Sequence, residues 1–185
     1  MTEASSTAAL CAFAAARRYS GDTLNRCARL NGEDSGALLG LLQELRPSEN
    51  QLRDLWNWIE EIASRDHISL AHVLASEKVA AARRRDLGRN DKLKLLKDTL
   101  RRQRFPQLAA AEDQLAGLIR ELALPRHVRV TLPAFLEGDA VHVDITADTA
   151  AALRTAAEAL HAAAASPACE RLFALLAFEE REPDA

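Results

Sequence analysis

Histidine and glutamate side chains are the first residues to consider for acid–base or metal chemistry, and few of them are suitably spaced in this sequence. His67 and His72 are five positions apart, whereas a metal-binding pair on one helix is usually separated by four. Glu60 and Glu61 are consecutive, so on a helix they point about 100° apart and cannot act on one substrate atom. The spacing therefore favours surface carboxylates and surface or capping histidines.

His127 and His142 are the second histidine pair. Both alternate with apolar residues in segments that read as β-strands, so both fall on the polar face of a hairpin. They could approach each other across the strands beside Asp144, and the alternative is an ordinary polar face. No phosphate-loop, dinucleotide-binding, hydrolase-elbow or zincin motif occurs, and the three cysteines form no CxxC pair. We therefore predict a protein that is not an enzyme and that uses no cofactor and no metal.

A strongly basic segment is the clearest functional signal. The formal net charge is -3, yet residues 78–104 contain eleven Lys or Arg and three Asp or Glu, a net of +8. Within the predicted helix 90–104, four cations at i, i+3, i+7 and i+10 form one stripe beside a stripe of leucines. Such density is typical of phosphate contact. The candidate nucleic-acid-binding residues are Arg83, Arg84, Arg85, Lys94, Lys97, Arg101, Arg102 and Arg104.

Two alternatives remain for this segment. The cations could pair with the acidic flanks, since residues 1–77 have a net charge of -4 and residues 105–185 of -7. They could also dock an acidic protein partner, which would make the chain an interaction adaptor. Trp58 is a further candidate interaction residue, because it points about 200° away from Trp56 and its core stripe. Burial of Trp58 under a neighbouring helix is the alternative.

Apolar residues recur at helical spacing through most of the chain. The predicted helices are 5–18, 23–30, 35–45, 48–65, 69–74, 77–86, 90–104, 106–123, 148–164 and 166–178. Asn31-Gly32 is interpreted as a stop signal, and Ser48, Asn90 and Asp148 as N-caps. Between the helices, residues 127–132 and 141–146 alternate with period two around a turn at Glu137-Gly138-Asp139. This pattern predicts a β-hairpin.

The predicted fold is mainly α, with one β-hairpin inserted between the C-terminal helices. We divide the chain into a helical domain at 1–104 that ends in the basic helix, a helix-hairpin-helix-helix module at 105–178, and a frayed tail at 179–185. The exposed edge of a two-stranded hairpin favours pairing with a second copy, so a homodimer is expected.

The location follows from what the sequence lacks. No apolar stretch approaches the roughly 20 residues that a membrane-spanning helix needs. The N-terminus has acidic Glu3 and no basic region before the apolar run Leu10–Ala16, so it is unlike a signal peptide. We predict a cytoplasmic protein with no membrane contact.

Three stretches resemble the region that follows the DNA-reading domain in bacterial ParB-type partition proteins. They are Leu45–Asp66 with Ile68-Ser69-Leu70, Leu95–Leu108 with its LRRQRFPQL run, and Pro133–Asp139. The resemblance covers about residues 40–175. The family's nucleotide-binding and helix-turn-helix domains are not recognisable here, so nucleotide hydrolysis, clamp closure and specific site reading are not carried over.

The resemblance implies self-association, nonspecific DNA contact, a partition-system protein as a partner and a nucleoid-associated location. The helix–strand–strand–helix order at 107–164 is similar to the dimerising tail of some members. The leading hypothesis is therefore a non-catalytic, self-associating module that contacts DNA without sequence preference through its basic helix. The alternative is the adaptor that docks an acidic partner through the same segment.

Overall fold

The computed structural model describes residues 3–133, 136, 138 and 140–179. This part of the chain is mainly helical, with one antiparallel hairpin near the C-terminus, which confirms the predicted fold class. The chain divides into two compact units, unit 1 at Met1–Phe105 and unit 2 at Pro106–Ala185. Apart from Glu179, where the last helix ends, the predicted frayed tail lies outside the described residues.

Unit 1 contains seven helices within its described residues. Their bounds are α1 Glu3–Ala16, α2 Gly21–Ala28, α3 Gly32–Leu45, α4 Glu49–Asp66, α5 Leu70–Ala75, α6 Glu77–Arg84 and α7 Arg89–Arg104. The predicted N-cap Ser48 begins α4 with a capping box, in which its hydroxyl accepts from the Gln51 amide and the Gln51 side chain accepts from the Ser48 amide. Two backbone donors that a helix start leaves without partners are thereby satisfied.

Three predicted helix boundaries are wrong, each for a local reason. Asn31 does not stop a helix but caps α3, because its side chain accepts a hydrogen bond from the Asp34 amide. Gly88, rather than Asn90, is the N-cap residue of α7. In unit 2, Thr149 rather than Asp148 caps the helix that follows the hairpin, through its bond from the Ala152 amide.

The core of unit 1 is built from leucine stripes on α3, α4 and α7. Trp56 is its largest fully buried side chain, and Leu96 and Leu100 of α7 are completely buried. Fully burying a leucine contributes about 2 kcal/mol relative to exposure. These stripes fix which face of α7 turns inward and therefore which side chains of the basic segment point outward.

Unit 2 comprises α8 Pro106–Glu121, β1 Val128–Thr131, β2 His142–Ile145, α9 Ala150–Ala164 and α10 Pro167–Glu179. The strands pair antiparallel, with Val128 opposite Ile145 and Thr131 opposite His142. A small core joins α8 and α10 through Leu115, Leu172 and Leu176. Of the predicted turn, Glu137 and Asp139 lie outside the described residues, and Gly138 has the positive φ of 114° that glycine adopts readily.

β2 is exposed along its whole length. Val143 and Ile145 keep 41% and 37% of their surface in solvent, and Leu153 and Phe173 on the neighbouring helices keep about half. None of the helices in the described part of the chain combines the length and the apolar character that a membrane span requires.

Candidate nucleic-acid interface

The basic segment forms α6, a short turn and α7. Val79 and Ala82 anchor α6 in the unit, and α6 ends at Arg84, after which the backbone is extended at Arg85. Leu93, Leu96 and Leu100 anchor α7. Because these apolar positions face inward, the cations of both helices are distributed over the outer surface of unit 1.

Most of the cation stripe on α7 lies beside carboxylates. Lys97 Nζ lies 3.0 Å from Asp54 Oδ2 of α4, and Arg104 forms an ion pair with Glu61 of the same helix. Arg101 lies 3.2 Å from Asp98 within α7. The predicted stripe is therefore present, and at least three of its four members are committed to partners within the protein.

A second cluster joins α3 to the two basic helices. Glu44 accepts from Arg83 Nε at 2.8 Å and lies 3.3 Å from Lys92 Nζ. Each such half-exposed pair contributes at most about 1 kcal/mol to stability, because solvent screens it. We call these five residues the paired cations: Arg83, Lys92, Lys97, Arg101 and Arg104.

The remaining exposed cations lie on α6, in the turn and at the start of α7. Within the described residues none of them has a carboxylate at salt-bridge distance, although Asp86 and Asp91 are close in sequence. We call them the open cations: Lys78, Arg84, Arg85, Arg89 and Lys94. Three of the predicted nucleic-acid-binding residues, Arg84, Arg85 and Lys94, are therefore open cations. The other two open cations, Lys78 and Arg89, are not among the predicted residues.

Arg102 is half-buried and lines the groove between α6 and α7. This groove, of about 470 Å³, is lined by residues of both helices. The lining residues are Lys78, Ala81, Ala82, Arg85, Leu95, Thr99 and Arg102.

Trp58 is half-buried and packs against the core of unit 1. The ammonium of Lys97 lies 5.6 Å from the centre of its ring, within cation–π range. The geometry matches the burial alternative more closely than a fully exposed contact residue, and it helps to hold Lys97 beside Asp54.

The histidine pairs do not form sites. His67 is the left-handed C-cap residue of α4, with φ 54°. In the hairpin, His142 lies opposite Thr131, while the carbonyl of His127 accepts from the Thr146 amide. Four residues of strand, about 13 Å, therefore separate the two histidines. No group of three potential metal ligands occurs in the described part of the chain.

Glu49 is a polar junction that sequence reasoning missed. Its carboxylate accepts from the Ser20 hydroxyl, from the Thr23 hydroxyl at 2.6 Å and from the Ser20 amide at 2.8 Å. These bonds lower the pKa of Glu49 below its ordinary 4.5. The sequence signal is the Ser20 N-cap, but its partner lies 29 positions away.

Cys27 is buried, and burial raises the pKa of its thiol to about 11, which disfavours the reactive thiolate.

Comparison of the chain with protein-family models, curated proteins and solved structures gives no match.

Proposed function

We propose that the chain is a non-catalytic, self-associating module that contacts DNA without sequence preference. The observation that carries the DNA part is the group of open cations on α6, the turn and the start of α7. Nonspecific binding to DNA depends on neutralising phosphates and releasing their counterions, and it needs no base-reading side chains. Exposed cations that have no carboxylate beside them are suited to that role.

The paired cations are less suited to phosphate contact. A phosphate that approaches Lys97 or Arg104 also meets Asp54 or Glu61 and is repelled by it. Contact would require the existing pair to break, so part of the gain would be lost. The proposed surface therefore shifts from the α7 stripe toward α6 and the turn.

Two matched triple variants test this assignment. Arg84→Gln, Arg85→Gln and Lys94→Gln remove three open cations, whereas Lys97→Gln, Arg101→Gln and Arg104→Gln remove three paired ones. Both variants change the net charge equally, so they separate position from overall charge. Each lost phosphate contact should reduce the log–log salt slope of duplex binding by about 1.

We expect the log–log salt slope of duplex binding to fall by about three in the open-cation variant and by less than about one in the paired-cation variant. Circular dichroism must show unchanged helicity in both proteins. Equal losses in the two variants would mean that overall charge, not the open surface, governs binding, and the assignment would be wrong.

The proposed self-association depends on β2. Since the Thr146 amide donates to the His127 carbonyl, the backbone groups of residues 142, 144 and 146 face β1. Those of Val143 and Ile145 point away from β1, along an exposed edge. An open edge with two exposed β-branched side chains is a template for another strand.

One register of antiparallel self-pairing is favoured by charge. With Val143 opposite its own copy, His142 faces Asp144 of the second copy on one surface, and Val141 faces Ile145 on the other. In the two neighbouring registers the two-fold axis lies at Asp144 or at His142. Asp144 then faces Asp144 of the second copy, or His142 faces His142. We therefore propose a four-stranded sheet with its two-fold axis at Val143.

Light scattering at about 100 µM tests the dimer. Val143→Lys would place two ammonium groups together on the axis, so it should give a monomer, and the exposure of Val143 lets the monomer tolerate lysine. The control Thr131→Lys lies on β1 and should stay dimeric. A monomeric parent protein at this concentration would contradict the proposal.

The resemblance to ParB-type proteins adds two further proposals. A partition-system protein is a proposed partner, and the nucleoid is the proposed location.

A further inference from the structure

The groove between α6 and α7 combines an aliphatic floor with a cationic rim. Ala81, Ala82, Leu95 and Thr99 form the floor, while Lys78 of α6 and Arg85, directly after α6, stand at the rim. Along each helix the lining positions follow i, i+3 or i+4, and i+7, so both helices turn one continuous face toward the groove. Arg102 completes the rim from α7.

The floor is shaped to accept a side-chain ridge. Ala81 is exposed and Leu95 half-exposed, so apolar surface is open to solvent between the two helices. Small alanine side chains let another backbone approach closely, and a groove between two helices accepts the ridge of a third. Duplex DNA has no apolar ridge on its backbone, so it would leave this floor in water.

The rim fixes the charge of the occupant. Lys78 and Arg85 are exposed and have no carboxylate at salt-bridge distance among the described residues. They are seven positions apart, about 10 Å along a helix. Two carboxylates seven residues apart on a second helix have the same separation, and they would flank the residues of its ridge.

We infer that this groove binds an amphipathic helix of a partner protein, with a small apolar ridge and two acidic side chains seven residues apart. The binding mode is helix-in-groove, in which apolar contacts supply area and the ion pairs set orientation. Because the helix would occupy Lys78 and Arg85, it would compete with DNA for the open cations. Only this competition rests on the proposed function.

The probe is a labelled helical peptide of about 15 residues, a length near the limit for helix formation in water. It carries an alanine and leucine ridge with Glu at two positions seven apart on the same face. A control peptide has the same composition, with both Glu residues moved to the opposite face. Fluorescence polarisation on the full chain should show at least tenfold tighter binding of the matched peptide.

Two protein variants separate the groove from the DNA surface. Ala81→Gln fills the groove without changing charge, so it should weaken the matched peptide at least tenfold and leave duplex binding unchanged. Arg84→Gln lies outside the groove lining, so it should keep peptide affinity and lower the DNA salt slope by about 1. Ala81→Gln would then affect only peptide binding in the groove, and Arg84→Gln only DNA binding.

The outcomes are distinguishable. Equal binding of the two peptides, or no effect of Ala81→Gln on binding of the matched peptide, would overturn the inference that the groove binds an acidic helix. Displacement of a labelled duplex by unlabelled matched peptide is expected, and simultaneous binding would overturn the competition. Absence of duplex binding would contradict the proposed function, while the peptide measurement, made without DNA, would still test the groove.

Discussion

Unit 1 and unit 2 bury their apolar residues to different extents. In unit 1 the leucines of α3, α4 and α7 pack around Trp56 with almost no solvent exposure. In unit 2 the core is a small cluster around Leu115, while Val143 and Phe173 keep a little under half of their surface in solvent. The exposed surface of unit 1 near α6 and α7 is cationic, whereas unit 2 exposes large apolar side chains on β2, α9 and α10. We propose on this basis that each unit provides a different kind of contact, unit 1 with a polyanion and unit 2 with a second copy of the chain.

The largest expected effect lies in the core of unit 1. Leu96→Ala removes a completely buried side chain and leaves a cavity, so it should lower the free energy of unfolding by about 2–5 kcal/mol. Leu153→Ala in unit 2 truncates a side chain that is 52% exposed, so it should change stability by about 0.5 kcal/mol or less. Urea unfolding followed by circular dichroism measures both. Comparable losses would remove the distinction between the units.

An intermediate effect is expected on the stability of unit 2, which should depend on protein concentration, whereas the stability of unit 1 should not. Both tryptophans, Trp56 and Trp58, lie in unit 1, so fluorescence reports that unit alone. If unit 2 dimerises, each tenfold rise in protein concentration should stabilise it by up to about 1.4 kcal/mol, because the folded dimer is favoured by mass action. Thermal unfolding by circular dichroism should then shift with concentration while the fluorescence transition stays fixed. Val143→Lys should abolish the shift.

The smallest effect concerns the polar junction in unit 1. The hydrogen bonds from Ser20 and Thr23 lower the pKa of Glu49 in the folded protein. Its contribution to stability is therefore fully present above the ordinary carboxyl pKa and is lost as pH falls through the folded value. Glu49→Gln should reduce stability near neutral pH, and its difference from the parent protein should shrink in acid. A difference independent of pH would contradict this origin.

Much of the fold could be predicted from the sequence, because leucine periodicity and period-two alternation are local patterns. Ser48 is predictable as a cap for the same reason. Gly88 is not, because a glycine N-cap provides no side-chain signal. The DNA surface could be predicted only in part, since Asp54 and Glu44 approach their cations from 39 or more positions away in sequence. Such pairs depend on tertiary packing, and so does the groove between α6 and α7.

The most direct test of the central claim is the affinity of the parent protein for two duplexes of unrelated sequence across a range of salt concentrations. If three to five open cations contact phosphates, the log–log slope should be about 3 to 4.5, at roughly 0.9 per phosphate. The two duplexes should bind equally within about threefold, since no base contacts are involved. A slope below about 1, or no binding even at low ionic strength, would contradict the account.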